Sequence, residues 1–179
     1  MKIICNFIFM ILQPVLVLIF AIAGDFAFCE DQMPYQIVKL LPGVVYETSG
    51  SYVKLSINYD VSDSNNTLFG LGARFHFNSK QIKYIRTDNL FNLFKNSVVQ
   101  DDNEDFDDDL QTDSYLLISW FEWNGRWPGV SLPCELGLIN FQIIENSTPS
   151  YTPINISFSA TNPGYDVEYS SSIIHIISK

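Results

Sequence analysis

Val53-Lys54-Leu55-Ser56-Ile57-Asn58-Tyr59-Asp60-Val61 alternates apolar and polar residues without interruption. Successive side chains on a strand point to opposite faces, so this period of two marks a strand with one buried face. Turn formers follow at Asp63-Ser64-Asn65-Asn66. The alternation then resumes: Leu71, Ala73, Phe75 and Phe77 share one face, and Gly72, Arg74 and His76 share the outer one. Ile82, Tyr84 and Ile85 mark another strand, and Tyr115 to Trp123 is dense enough in apolar residues to be covered on both faces.

Further strands are expected over Leu136 to Ile144, through Ile154, Ile156, Phe158 and Ala160, at Val167-Glu168-Tyr169, and from Ile173 to Ile177. Met33 to Gly43 reads as a lead-in or first edge strand. Asn89 to Val99 is equivocal, because Leu90, Leu93 and Phe94 have helical spacing; a short helix or a bulged strand fits. No amphipathic helix stands out. The pattern predicts an all-β chain forming a single β-sandwich, a jelly roll of about eight or nine strands.

The first residues belong to something else. Met1-Lys2 is a minimal basic start, Ile3 to Phe20 is almost wholly apolar, and Ala21-Ile22-Ala23 offers a small-x-small cleavage pattern. A second cut fits after Cys29, so residues 1–29 are expected to be a signal peptide and residues 30–179 the domain. The rival is an uncleaved anchor, which would be the chain's only link to a membrane. Either way the protein is expected to be secreted or on the cell surface. Cys134 is then alone in the domain, without a disulfide framework, and is expected to be a small buried hydrophobe beside Pro133.

The net charge of −10 is concentrated in one place: Asp101, Asp102, Glu104, Asp105, Asp107, Asp108, Asp109 and Asp113 fall together with no basic residue among them. Such a chain has no basic stripe for nucleic acid and no attraction to anionic lipid. Oxygen donors recur at alternate positions, Asp101, Asn103, Asp105, Asp107 and Asp109, and hard cations such as Ca²⁺ take six to eight oxygens. A Ca²⁺ site on these five residues is one expectation; a solvated acidic loop is the other. An EF-hand does not fit, since Phe106 stands where that loop needs glycine and Thr112 where it needs glutamate.

All the tryptophans follow at once, in Trp120-Phe121-Glu122-Trp123-Asn124-Gly125-Arg126-Trp127. Trp120 shares the parity of Leu116 and Ile118, so it is expected in the core. Trp123 and Trp127 flank an Asn-Gly turn. Exposed, they would stack on sugar rings while Asn124 and Arg126 bind hydroxyls; alternatively, both cap the end of the sandwich. No catalytic set emerges from the two histidines, His76 and His175, and the chain is expected not to be an enzyme. Sequons at Asn65, Asn146 and Asn155 are too short to decide anything.

The order of the Val53–Val61 strand, the segment Leu68-Phe69-Gly70-Leu71-Gly72-Ala73-Arg74-Phe75-His76-Phe77-Asn78-Ser79-Lys80, the Ile118-Ser119-Trp120 strand, the Asn124-Gly125-Arg126-Trp127-Pro128-Gly129 turn and the Leu136–Phe141 strand resembles cohesin-like domains, relatives of the cellulose-binding β-sandwiches. The resemblance spans roughly Val53 to Ile177. It implies a nine-stranded jelly roll acting as a non-catalytic recognition module for a dockerin-like or other surface protein, or for polysaccharide, with structural Ca²⁺ in several members. The acidic segment before Tyr115 is longer than a compact cohesin needs. The alternative is a structural protein of a cell-surface or envelope assembly.

Overall fold

The computed structural model describes residues 33–178 except 92–94 and 146–147. The expected signal peptide and the Asn146 sequon lie outside the described residues. Thirteen strands are described: β1 (Tyr35–Leu41), β2 (Val44–Thr48), β3 (Tyr52–Val61), β4 (Thr67–Leu68), β5 (Gly70–Phe77), β6 (Ile82–Asp88), β7 (Lys95–Asp101), β8 (Ser114–Phe121), β9 (Trp127–Pro128), β10 (Cys134–Ile143), β11 (Ser150–Ala160), β12 (Asp166–Ser170) and β13 (Ser172–Ile177).

They form two sheets packed face to face, as expected for a β-sandwich. The five-stranded sheet runs β12-β1-β3-β10-β6 and the six-stranded sheet β2-β13-β11-β5-β8-β7, with β4 and β9 as a small separate pair. The count exceeds the expectation partly because β4 and β9 are only two residues long. β2 went unread: Val44-Val45-Tyr46 has no alternation, and its pairing with β13 is parallel and remote in sequence. The first strand is not an edge, since β1 lies between β12 and β3. The equivocal segment contributes β7, the edge of the six-stranded sheet, paired with β8 from Lys95–Trp120 to Asp101–Ser114.

The period-two rule sets the core. Val53, Leu55, Ile57, Tyr59 and Val61 of β3 face Leu71, Ala73, Phe75 and Phe77 of β5 and Leu116, Ile118 and Trp120 of β8, all buried. Each fully buried Val, Leu, Ile or Phe among them contributes about 1.5–3 kcal/mol. One polar group crosses this core fully satisfied. Gln36 donates to the Tyr59 hydroxyl (2.9 Å) and the Gly70 carbonyl (3.1 Å), and accepts from the Asn162 amide (2.7 Å). Burial pushes the Tyr59 hydroxyl well above its ordinary pKa. Cys134 is a free thiol, partly rather than fully buried, packed against the core.

Candidate functional site

The acidic segment joins β7 to β8, its neck closed by the Asp102 amide donating to the Asp113 carbonyl (3.0 Å). It folds back over the outer face of the six-stranded sheet. Phe106 lies on the Arg74 guanidinium of β5, 4.0 Å from carbon to ring centroid, and meets Tyr115 of β8 edge-on at 5.9 Å. Asp107 and Asp109 accept both amide hydrogens of Asn155 on β11, at 2.9 and 3.0 Å. The Thr112 hydroxyl lies 2.9 Å from Asp107 Oδ2 and 2.8 Å from the Asp109 carbonyl.

His76 stands on the outer face, as its parity required, yet it is wholly buried because this loop covers it. Its Nδ1 donates to Asp102 Oδ2 at 2.7 Å and lies 3.6 Å from Asp107 Oδ1; its Nε2 is 2.7 Å from the Ser157 hydroxyl. The side chains of Asp102 and Asp107 are 0% and 2% exposed. The connectivity Ser157–His76–Asp102 is that of an acyl-transfer triad. Its surroundings oppose that chemistry: buried carboxylates beside the ring would repel a developing oxyanion rather than stabilise it.

The five expected Ca²⁺ ligands are not gathered into one set. Asp101 and Asn103 are exposed, while Asp105, Asp107 and Asp109 are partly buried. Alternation holds only for extended chain. Here Asp105 and Asp108 adopt positive φ (53° and 56°), and each such turn redirects the side chains that follow. The residues that do converge are Asp107, Asp102 and His76, the last two absent from the expected set.

The tryptophan cluster divides. Trp120 is in the core, as expected. Trp127 is 0% exposed, packed on Tyr59 (centroids 4.6 Å) and paired through β9 with Leu68. It caps the sandwich, as the second of the two readings had it for this ring, so Trp123 and Trp127 do not form an exposed pair. Trp123 is 73% exposed and meets Phe121 edge-on at 4.1 Å. Asn124 and Arg126 belong to the turn itself: Glu122 accepts from the Asn124 backbone and side-chain amides (3.0 and 2.9 Å) and from the Arg126 amide (2.8 Å). The Asn124 backbone N–H is the first cause holding the Glu122 carboxyl below its ordinary range. The Arg126 side chain is exposed.

Beside this turn lies a cleft that sequence reasoning missed. Phe69, Gly70, Gly72, Ser119, Phe121 and Ala160 line a hollow of about 310 Å³ on the outer face of the six-stranded sheet. Gly70 and Gly72 form its floor because neither carries a side chain. Gly70 has φ +142°, and a Cβ there would strike the Trp120 carbonyl. Glycines at alternate positions within a strand were the available signal, since they mark close approach by another group. Arg74, next on that face of β5, already sits under Phe106, so the cleft and the acidic loop adjoin.

No protein-family model matches the sequence, and no curated protein sequence matches it. Solved structures do match. The third ScaC cohesin of Acetivibrio cellulolyticus, solved with the ScaB dockerin, aligns at TM-score 0.59 and 13% identity over 79% of this chain and 99% of that one. The fold is cohesin-like. A type I cohesin–dockerin complex of Clostridium thermocellum containing Coh-OlpA aligns at TM-score 0.54 and 10% identity, over 81% and 99% of the two chains. The CaCohA2 solution structure from Clostridium acetobutylicum gives 0.53 and 17%, over 79% and 92%.

Proposed function

We propose that this protein is an exported, non-catalytic recognition module that binds a dockerin-like protein through the outer face of its six-stranded sheet. The observation that carries the proposal is the cleft over Gly70 and Gly72, rimmed by Phe69 and Phe121, on a sandwich whose fold is shared by cohesins solved with dockerins. Interfaces are anchored by a few bulky side chains seated in such hollows. The adjoining loop presents Leu110, 91% exposed, and the exposed carboxylates of Glu104 and Asp108. A partner with an apolar anchor flanked by Lys or Arg would match both.

Polysaccharide is the weaker ligand, because it keeps Trp123 and loses Trp127. The test is calorimetric titration of the protein with a panel of purified dockerin modules, alongside retention on cellulose and xylan. Saturable binding of one dockerin is expected, weakened at least about tenfold by Phe121→Ala. Retention on polysaccharide that needs Trp123, with no dockerin bound, would reverse the assignment.

A further inference from the structure

Independently of any partner, we propose that the underside of the acidic loop is a binding site for a divalent transition-metal ion of the zinc type, with His76, Asp102 and Asp107 as protein ligands. One ligand atom from each lies within 4.8 Å of the others. The two measured edges from His76 Nδ1 are 2.7 Å to Asp102 and 3.6 Å to Asp107. A tetrahedral ion with bonds of ~2.0–2.1 Å spaces its ligand atoms ~3.3 Å apart, between those two edges. The imidazole nitrogen sets the class of ion, since Ca²⁺ and Mg²⁺ take oxygen while zinc takes nitrogen with carboxylate.

Two further observations point to a cation. Asp102 and Asp107 are buried, yet no lysine or arginine among the described residues pairs with either; the described Lys and Arg ion pairs go to Asp113 and Asp88. The donors that do reach Asp102 and Asp107 are neutral apart from the ring itself: Asn155 and the Thr112 hydroxyl serve Asp107, and His76 and, at 3.3 Å, the Phe106 amide serve Asp102, while the same loop buries Asp105 Oδ1 with no donor. Buried carboxylates are otherwise paired or bound to metal.

The outer partners are also in place. Metal-ligating histidines give their second ring N–H to a fixed acceptor, and Ser157 Oγ is 2.7 Å from His76 Nε2. Asn155 and Thr112 orient Asp107 in the same way. On binding, neutral His76 carries its one ring proton on Nε2, where it is donated to Ser157, and leaves the Nδ1 lone pair to the metal.

The experiment uses the untagged protein, titrated with Zn²⁺, Co²⁺, Ca²⁺ or chelator. Zn²⁺ at a hundredfold excess over its Kd is expected to raise Tm by roughly 5–10 °C. Bound Co²⁺ is expected to show visible absorption of a low-coordinate site, which Asp107→Asn and His76→Gln each abolish. Wild-type protein with no Zn²⁺ shift and no Co²⁺ spectrum would overturn the site, whatever the variants do. So would a response to Ca²⁺ alone, or Co²⁺ binding that survives both substitutions.

Discussion

Asn155 Nδ2 lies 2.9 Å from Asp107 Oδ2, and its other amide hydrogen reaches Asp109, so one side chain on β11 latches the acidic loop to the sheet. Removing the latch leaves Asp107 buried and short of a donor. Asn155→Ala is expected to lower stability by about 1–3 kcal/mol in urea denaturation. It should also open the segment from Asp102 to Thr112 to limited proteolysis; unchanged stability and cleavage would contradict the latch.

The same commitment bears on glycosylation. With its amide held by two carboxylates, Asn155 is expected to stay unmodified in the folded protein despite its sequon. Mass mapping of protein secreted from a glycosylating host would show a glycan there if the amide were free.

Gly70 and Gly72 are not equivalent. Gly70→Ala combines positive φ with a clash against the Trp120 carbonyl and is expected to cost about 2–4 kcal/mol. At Gly72 the first obstacle is the Ser159 hydroxyl, which can rotate away, so Gly72→Ala should cost much less. Denaturation midpoints of the two variants check the order.

Cys134 supplies a pH test. Burial first, then Asp60, pushes its thiol from 9.0 up to about 11. The unfolded chain loses this proton first as pH rises, so the stability linked to it is complete below pH 9.0 and lost on the way to about 11. At pH 8 native protein should react with iodoacetamide far more slowly than the unfolded chain; equal rates would refute the shift.

Glu122 acts with the opposite sign. Its folded pKa is depressed from 4.5, so its support of the turn is present above that value and fades as pH falls through the lower folded one. Because the group is exposed, the change is expected to be local, seen as altered acrylamide quenching of Trp123 before any global unfolding. An Asn124-Gly125 turn that loosens well above pH 4.5 would contradict it.

Much of the sandwich was legible because one face of each main strand is buried. Val53 to Val61 announces its pairing face residue by residue, and Trp120 followed by parity alone. What escaped depends on contacts remote in sequence. Nothing near His76 says that a loop more than twenty residues later will bury it against Asp102. The oxygen donors of that loop were counted as though it were extended, and its turns at Asp105 and Asp108 remove the alternation. Whether Trp127 was a surface ring or a cap stayed open because its partners, Leu68 and Tyr59, lie some sixty residues away and are joined to it only through tertiary packing.

The central claim is that a protein partner docks on the outer face of the six-stranded sheet, and filling the cleft tests it most directly. The measurement is calorimetric affinity of wild type, Ser119→Trp and Ile37→Trp for the tightest-binding dockerin of the panel. Ser119 lines the cleft, whereas Ile37 lines a hollow of about 220 Å³ on the five-stranded sheet. Ser119→Trp is expected to weaken binding at least about tenfold while Ile37→Trp leaves it unchanged. Undiminished binding by Ser119→Trp, loss confined to Ile37→Trp, or no dockerin bound at all would contradict the account.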